Sequence, residues 1–302
     1  MKKWDNELFI QEESQLLIMG PLAGTPDFLK EFEDEQGIIR QPVTRRRSYL
    51  MNHWSHINLA RAKRTMHVKE PQMENPGHCF FCAGGESQTP RHAVTGGDYL
   101  RIPETGSWQL RCFNNLYPWM EDHLNIVETP RHKISLQELD LEEEKRVIRC
   151  AAKVIGEMEQ RKLYPVFFRN QGYGASISHY HWQIGALPHI PSLVAEEIQR
   201  AEQFHRQFDL SLFDAIIESE LDRQERVILD SPDVLVVTAF APRTRFELLL
   251  IPKFQLDSLS QASPSQLDSL SFHLVETLKL LYAKAGTDTM NIIVHQLTGH
   301  PH

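Results

Sequence analysis

The stretch SISHYHWQIGALP, Ser176 to Pro188, places His179, His181 and Gln183 at every second position. Glycines and a proline flank it, so it reads as a short strand leaving a Gly-rich turn. Side chains alternate along a strand. The two imidazoles and the amide then share one face, and Tyr180, Trp182 and Ile184 share the other. Such a row can bind a metal, attack an electrophile or hold an anion. A polar strand face without chemistry is the plain alternative.

Metal binding is the first chemistry to weigh. Cys79 and Cys82 form C-F-F-C, and Cys-x-x-Cys supplies two ligands of tetrahedral zinc from one tight turn. Two histidines must complete the set. His179 and His132 are candidates, while His78 and His92, nearer in sequence, compete. Two buried thiols are the simpler reading of the pair. Nucleophilic chemistry is the second. An imidazole held at one nitrogen can present the other to phosphorus, and His181 is placed for that. Gln183 can donate to a phosphate oxygen without adding charge. Ser176 and the amides around Gly174 can do likewise. Phosphoryl chemistry also calls for cations. ARAKR sets Arg61 and Arg64 three residues apart, on one face of a helical turn, with guanidinium forks that fit phosphate.

These residues need elements to position them. The 302 residues suffice for one large domain or two small ones. Leu110–Phe113 and His123–Glu128 read as strands around the turn 114–118. Ser135 and Glu138 fit a capping box for a helix carrying Val147, Ala151, Val154 and Met158 on one stripe. Val166–Arg169 is a strand before the histidine strand. A helical join spans about 193–208. The second half repeats the order: strands over 233–238 and 247–251, a helix over about 265–285 with Gly286 beyond its end, and a strand over 290–294. IVETPRHKISLQEL parallels LLIPKFQLDSLSQA, which suggests an internal duplication. The position of His132 in the first copy is Phe254 in the second. The second copy stops at His300-Pro301-His302, where a second histidine strand would begin. The division expected is an N-terminal extension over 1–38, a first half over 39–190 carrying the chemistry, and a degenerate second half over 191–302.

Composition excludes some classes. The net charge is -8 and hydrophobic residues make up 41%. No basic block suggests a nucleic-acid groove, and no stretch is long and apolar enough to span a membrane. With no apolar leader at the start, the expectation is a soluble, cytoplasmic protein. Four cysteines argue against a disulfide scaffold.

The segments RQPVTRRRSYLMNHWSHINLARAKR, CFFC, LRCFNNLYPW, IVETPRH, NQGYGASISHYHWQ and RFELLLIPK, in this order, resemble the galactose-1-phosphate uridylyltransferase family of histidine-triad-like nucleotidyltransferases. The resemblance covers roughly residues 38–295. It implies an α+β fold, a duplicated histidine-triad-like unit with antiparallel sheets and packed helices. It implies that Cys79, Cys82, His132 and His179 hold one structural zinc ion per chain. It gives His181 the role of a nucleophile that becomes covalently nucleotidylated, and gives Gln183 and Ser176 the task of holding the transferred phosphoryl group. Arg61 and Arg64 match a basic pair near the phosphates, and Asn115 and Asn170 match polar contacts to substrate. The reaction implied is ping-pong transfer of a nucleoside monophosphate from a nucleotide sugar or dinucleotide to phosphate or a sugar phosphate, in a homodimer. Alternatives on the same fold are a dinucleoside polyphosphate or nucleotide-sugar hydrolase or phosphorylase, and a non-catalytic nucleotide-binding protein. The chain departs from the family's pattern at Tyr180, where proline usually stands between the histidines. It departs also at Leu116, where an acidic residue follows the asparagine, and in its short last segment.

Overall fold

The computed structural model describes residues 2–19, 31–36, 38–58, 79–92, 95–133, 135–172 and 175–297. The chain divides into two compact units: Met1–Glu70, Gln199–Ile228 and Val237–Leu249 form one, and Pro71–Ile198, Leu229–Val236 and Leu250–His302 the other.

The first unit contains helix α1 (Asp5–Leu8) and an antiparallel sheet of β1 (Gln11–Met19), β2 (Ile38–Arg47) and β3 (Trp54–Asn58). Residues 1–38, read as a loose extension, therefore hold a helix and a paired strand. Leu8 is fully buried, and Asp5 accepts from Ser219 Oγ at 3.0 Å.

The second unit is built on a six-stranded sheet. Its strands are β4 (Leu100–Ile102), β5 (Leu110–Asn114), β6 (Glu121–Val127), β7 (Tyr164–Gln171), β8 (His181–Leu187) and β12 (Met290–Val294). The order is β12-β7-β8-β6-β5-β4, antiparallel throughout. Between β6 and β7 runs α2 (Leu141–Gln160), and α3 (Ser192–Phe208) follows β8. Helix α4 (Leu212–Arg223) belongs to the first unit, and strands β9 (Val227–Asp230), β10 (Val234–Thr238) and β11 (Leu248–Pro252) and helix α5 (Pro264–Ala285) complete the elements of the chain. β9 to β11 form a third sheet in the order β11-β10-β9.

Alternation fixes which sheet face is packed. Leu110, Cys112, Leu124, Ile126, Phe167, Trp182, Ile184 and Ala186 point to one side. There they meet the α2 stripe of Val147, Ala151, Val154 and Met158, with Leu267 and Leu270 of α5 in the same core. Trp182 is fully buried and stacks on Phe167, ring centroids 4.5 Å apart. Helices α2 and α5 lie side by side, with Arg149 bound to Asp268 between them. The order strand, strand, helix, strand recurs as β5-β6-α2-β7 and β10-β11-α5-β12. The last strand of the second series pairs with β7 and extends the larger sheet.

Two local expectations are corrected. The Ser135–Glu138 capping box forms, but it caps a 3-10 turn at Leu136–Glu138. The long helix α2 is capped by Asp140, whose side chain accepts from the Glu142 and Glu143 amides. The histidine strand begins at His181 rather than Ser176, because the Tyr180 amide turns to the Lys133 carbonyl (3.3 Å) and leaves the ladder. Helix α4 escaped the sequence reading; its buried apolar residues are few, Leu212, Ala215 and Ile216, and Ser219 and Glu220 complete the buried face.

Asp140→Ala is expected to destabilise the protein by about 1 kcal/mol in urea denaturation, and Ser135→Ala by clearly less. Amide hydrogen bonds from Glu143 and Glu142 hold the Asp140 carboxyl below its usual range. The cap's contribution is therefore full above the unfolded carboxyl's pKa of about 3.9 and is lost as pH falls through the folded one.

Candidate active site

The sheet face opposite the core carries the candidate residues. His181 and Gln183 of β8 lie on it. The register sets Gln183 beside Asn125 of β6 and Phe168 of β7. Asn170 stands two residues along β7 from Phe168, paired with Asn291 of β12. His181 is buried and Gln183 half-buried. Ser176 is exposed in the segment before β8. Arg61, Arg64 and the competitor His78 lie outside the described residues.

At one end of this face four side chains converge. Single donor atoms of Cys79, Cys82, His132 and His179 all lie within 4.8 Å of one another. His179 Nδ1 is 3.5 Å from Cys79 Sγ and 3.4 Å from Cys82 Sγ, and His132 Nδ1 is 3.4 Å from Cys82 Sγ. The edge of a tetrahedron with zinc–sulfur and zinc–nitrogen bonds of ordinary length is about 3.5 Å. The donor set and its spacing therefore fit one tetrahedral ion. His92 packs against Tyr99 instead.

The local chain builds this cluster. The Cys82 amide donates to the Cys79 carbonyl (3.2 Å) and the Gly85 amide to the Cys82 carbonyl (3.0 Å), which closes a tight knuckle. A Cβ at Gly85 would come within 2.5 Å of the Phe80 carbonyl oxygen, so the turn requires glycine. The Ala83 amide donates to the Pro130 carbonyl, tying the knuckle to the loop of His132. His179 Nε2 donates to the Thr129 carbonyl at 3.0 Å, which turns Nδ1 toward the sulfurs. Burial pushes the His179 ring down to about 3, so it is neutral at pH 7. Burial and then the Cys79 sulfur push the Cys82 thiol up to about 12; a cation between the sulfurs would oppose both effects.

His181 sits beside this cluster under Phe81, ring centroids 5.1 Å apart. Its Nδ1 donates to the His179 carbonyl at 2.8 Å. That bond assigns the proton to Nδ1 and leaves the Nε2 lone pair free. Burial pushes this ring down to about 4, so the neutral form prevails at pH 7. The geometry thus offers an oriented, uncharged imidazole nitrogen.

Gln183 lies in a network that sequence reading missed. Its Oε1 is 3.0 Å from His123 Nε2 and 3.4 Å from Asn115 Nδ2, and Asn115 Nδ2 also donates to Asn125 Oδ1 at 3.1 Å. Asn115 is thus brought to Gln183. A signal for the rest was present: His123 and Asn125 alternate in β6 as His179 and His181 alternate later. Behind the site Arg169 is fully buried, 3.3 Å from Glu128 and 3.7 Å from Glu144. Burial, and next the Glu128 charge, raise the Glu144 carboxyl to about 8.

Known proteins resemble this chain in sequence and in fold. No family model matches the chain. An ADP-glucose phosphorylase of Arabidopsis thaliana is 26% identical over 251 residues, 73% of this chain and 68% of that protein. A galactose-1-phosphate uridylyltransferase of Kluyveromyces lactis is 25% identical over 166 residues, 52% of this chain and 45% of that protein. The chain thus spans about half the length of that relative. Among solved structures, the crystal structure of an ADP-glucose phosphorylase from Arabidopsis thaliana with bound ADP-glucose superposes with a TM-score of 0.71. It covers 83% of this chain and 82% of that one at 24% identity. The fold is the mixed helical and antiparallel-sheet fold of these enzymes. In sequence the chain is similar to galactose-1-phosphate uridylyltransferases and an ADP-glucose phosphorylase, in agreement with the motif resemblance. Among the described residues, no helix is long and apolar enough to cross a membrane.

Elemental analysis of the purified protein is expected to find about one transition-metal ion per chain. Cys79→Ser is expected to carry far less and to unfold at lower temperature. An unchanged metal content in that variant would remove the ligand assignment.

Proposed function

We propose that the protein is a nucleotidyltransferase whose His181 carries the nucleotidyl group between two half-reactions. The observation that supports this most is the His181 Nδ1–His179 carbonyl bond, which leaves Nε2 as an aimed nucleophile. In the first half-reaction the Nε2 lone pair attacks the α-phosphorus of a nucleoside diphosphate sugar. An N–P bond forms, the P–O bond to the bridging oxygen breaks, and the sugar 1-phosphate leaves with the electron pair. The proton stays on Nδ1, hydrogen-bonded to the His179 carbonyl, which stabilises the cationic ring that forms. In the second, an oxygen of phosphate or a sugar phosphate attacks the same phosphorus and the electron pair returns to Nε2. Gln183, through its amide nitrogen, donates to a non-bridging oxygen as charge develops. Asn170 and Ser176 are placed by the same reading as further phosphate contacts, and Arg61 and Arg64 as its cations.

Zinc is the ion that Cys79, Cys82, His132 and His179 suit. It would act structurally, fixing His179 and through it the start of β8. The first half, 39–190, would carry the chemistry, with 191–302 as a degenerate copy and a homodimer as the working form. The relatives named above favour a nucleotide-sugar donor; an adenylyl donor is favoured by the ADP-glucose phosphorylase, which is 26% identical over 73% of this chain.

The test is intact-protein mass after brief exposure to ADP-glucose, UDP-glucose or diadenosine tetraphosphate without acceptor. The expected result is a gain of one nucleoside monophosphate on wild type and none on His181→Asn. Turnover without any adduct, unchanged in His181→Asn, would replace this mechanism with direct hydrolysis. Tight nucleotide binding without turnover would favour a binding protein.

A further inference from the structure

We infer that His123 is a positioning residue for nucleotidyl transfer: it locks the Gln183 carboxamide so that its nitrogen, not its oxygen, faces the phosphoryl group. This rests on the proposed function and goes beyond it, since no substrate contact is assigned to His123.

A carboxamide can present either end, and only the NH2 end can stabilise charge on a phosphate oxygen. At Gln183 the choice is made by neighbours. The His123 ring is 4% exposed. Its Nδ1 receives the Trp119 amide N–H at 3.4 Å. A backbone amide can only donate, so Nδ1 is the bare nitrogen and Nε2 carries the proton. Nε2–H must then donate to its neighbour, which is Gln183 Oε1 at 3.0 Å. Asn115 Nδ2 donates to the same oxygen, and its own amide is pinned because Oδ1 accepts from the Tyr117 amide at 2.9 Å. Both acceptor sites of the Gln183 oxygen are filled. A flipped amide would set two donors against two donors.

The ring itself is fixed. The Asn115 amide donates to the His123 carbonyl at 2.8 Å, and Trp119 packs edge-on against the imidazole at 5.8 Å. Burial lowers the His123 pKa, so the ring remains in the neutral form that the tautomer argument requires. The chain of donors therefore runs from the Trp119 backbone through His123 to Gln183, and ends on an amide nitrogen on the face that carries His181.

The experiment measures the single-turnover rate of nucleotidylation by mass, with the donor that labels wild type. The variants are His123→Phe, which removes the donor, and His123→Gln, whose Nε2 can reach the position of the imidazole Nε2. Gln183→Ala and the double variant Gln183→Ala/His123→Phe complete the set. His123→Phe is expected to slow labelling roughly 10- to 100-fold, with half-saturating donor changed less than about threefold. His123→Gln is expected to recover most of the rate. In the Gln183→Ala background, His123→Phe is expected to add nothing further. Full-rate labelling by His123→Phe, or an equal further loss in the Gln183→Ala background, would overturn the inference and leave the function standing. Failure of wild type to label with any donor would overturn both.

Discussion

A buried imidazole has two nitrogens to provide for, and at this site that requirement organises the rest. His179 donates its Nε2–H to the Thr129 carbonyl, so Nδ1 faces the two sulfurs. The His179 carbonyl in turn receives the Nδ1 proton of His181, so Nε2 of that ring is the free one. One carbonyl therefore turns an imidazole nitrogen toward the sulfurs, and the next leaves an imidazole nitrogen free. His123 obeys the same rule, with a backbone amide on one nitrogen and Gln183 on the other. In none of the three is the tautomer arbitrary. Each ring is neutral because burial disfavours its charged form.

Such precision needs a rigid back. β8 is held between β6 and β7, and its rear face is filled by Trp182, Ile184 and Ala186 against α2 and β7. Gly185 stands where a Cβ would meet the Met120 side chain at 2.7 Å. The strand thus lies close to the turn bearing Met120, which follows Asn115 and Trp119. That closeness brings the turn over Gln183. The β6–β8 register shifts between Glu121 and Leu124, and Asp122 takes a positive φ of 47°. The bulge spans His123 and supplies the local bend.

Legibility in the sequence follows the range of the interaction. The α2 stripe, the α5 stripe with Gly286 at its end, and the alternation within β8 are local, and each is readable from period alone. The Cys-x-x-Cys pair is also local, and its histidine partners were reached through order and resemblance rather than spacing. What stayed hidden depends on long-range pairing. The bond from His123 to Gln183 spans 60 residues and exists because β6 pairs with β8. That Met290–Val294 would pair with β7, setting Asn291 beside Asn170, is likewise invisible to a reading by halves. The misplaced cap at Ser135 has a different cause. Two acceptors, Ser135 and Asp140, stand five residues apart, each with a glutamate three residues on, and local pattern does not rank them.

The departures from the family's pattern acquire physical meaning here. Tyr180 occupies the position between the histidines where proline is usual. Its amide donates to the Lys133 carbonyl, a bond that proline cannot make. Its ring is fully buried with the Arg169 guanidinium 4.1 Å above it, a contact worth about 2 kcal/mol when desolvated. Proline would restrain the turn covalently, through φ. Tyr180 restrains the same turn through a hydrogen bond and a buried cation, and Arg169 also binds Glu128, next to the carbonyl that orients His179. The anchoring of His179 and His181 is thus shared with the core behind them. Leu116, by contrast, is 62% exposed, and the network around Gln183 is complete without it. The change between the histidines is absorbed by the scaffold, while the change after Asn115 falls on the exposed surface, apart from the bonds that hold His181.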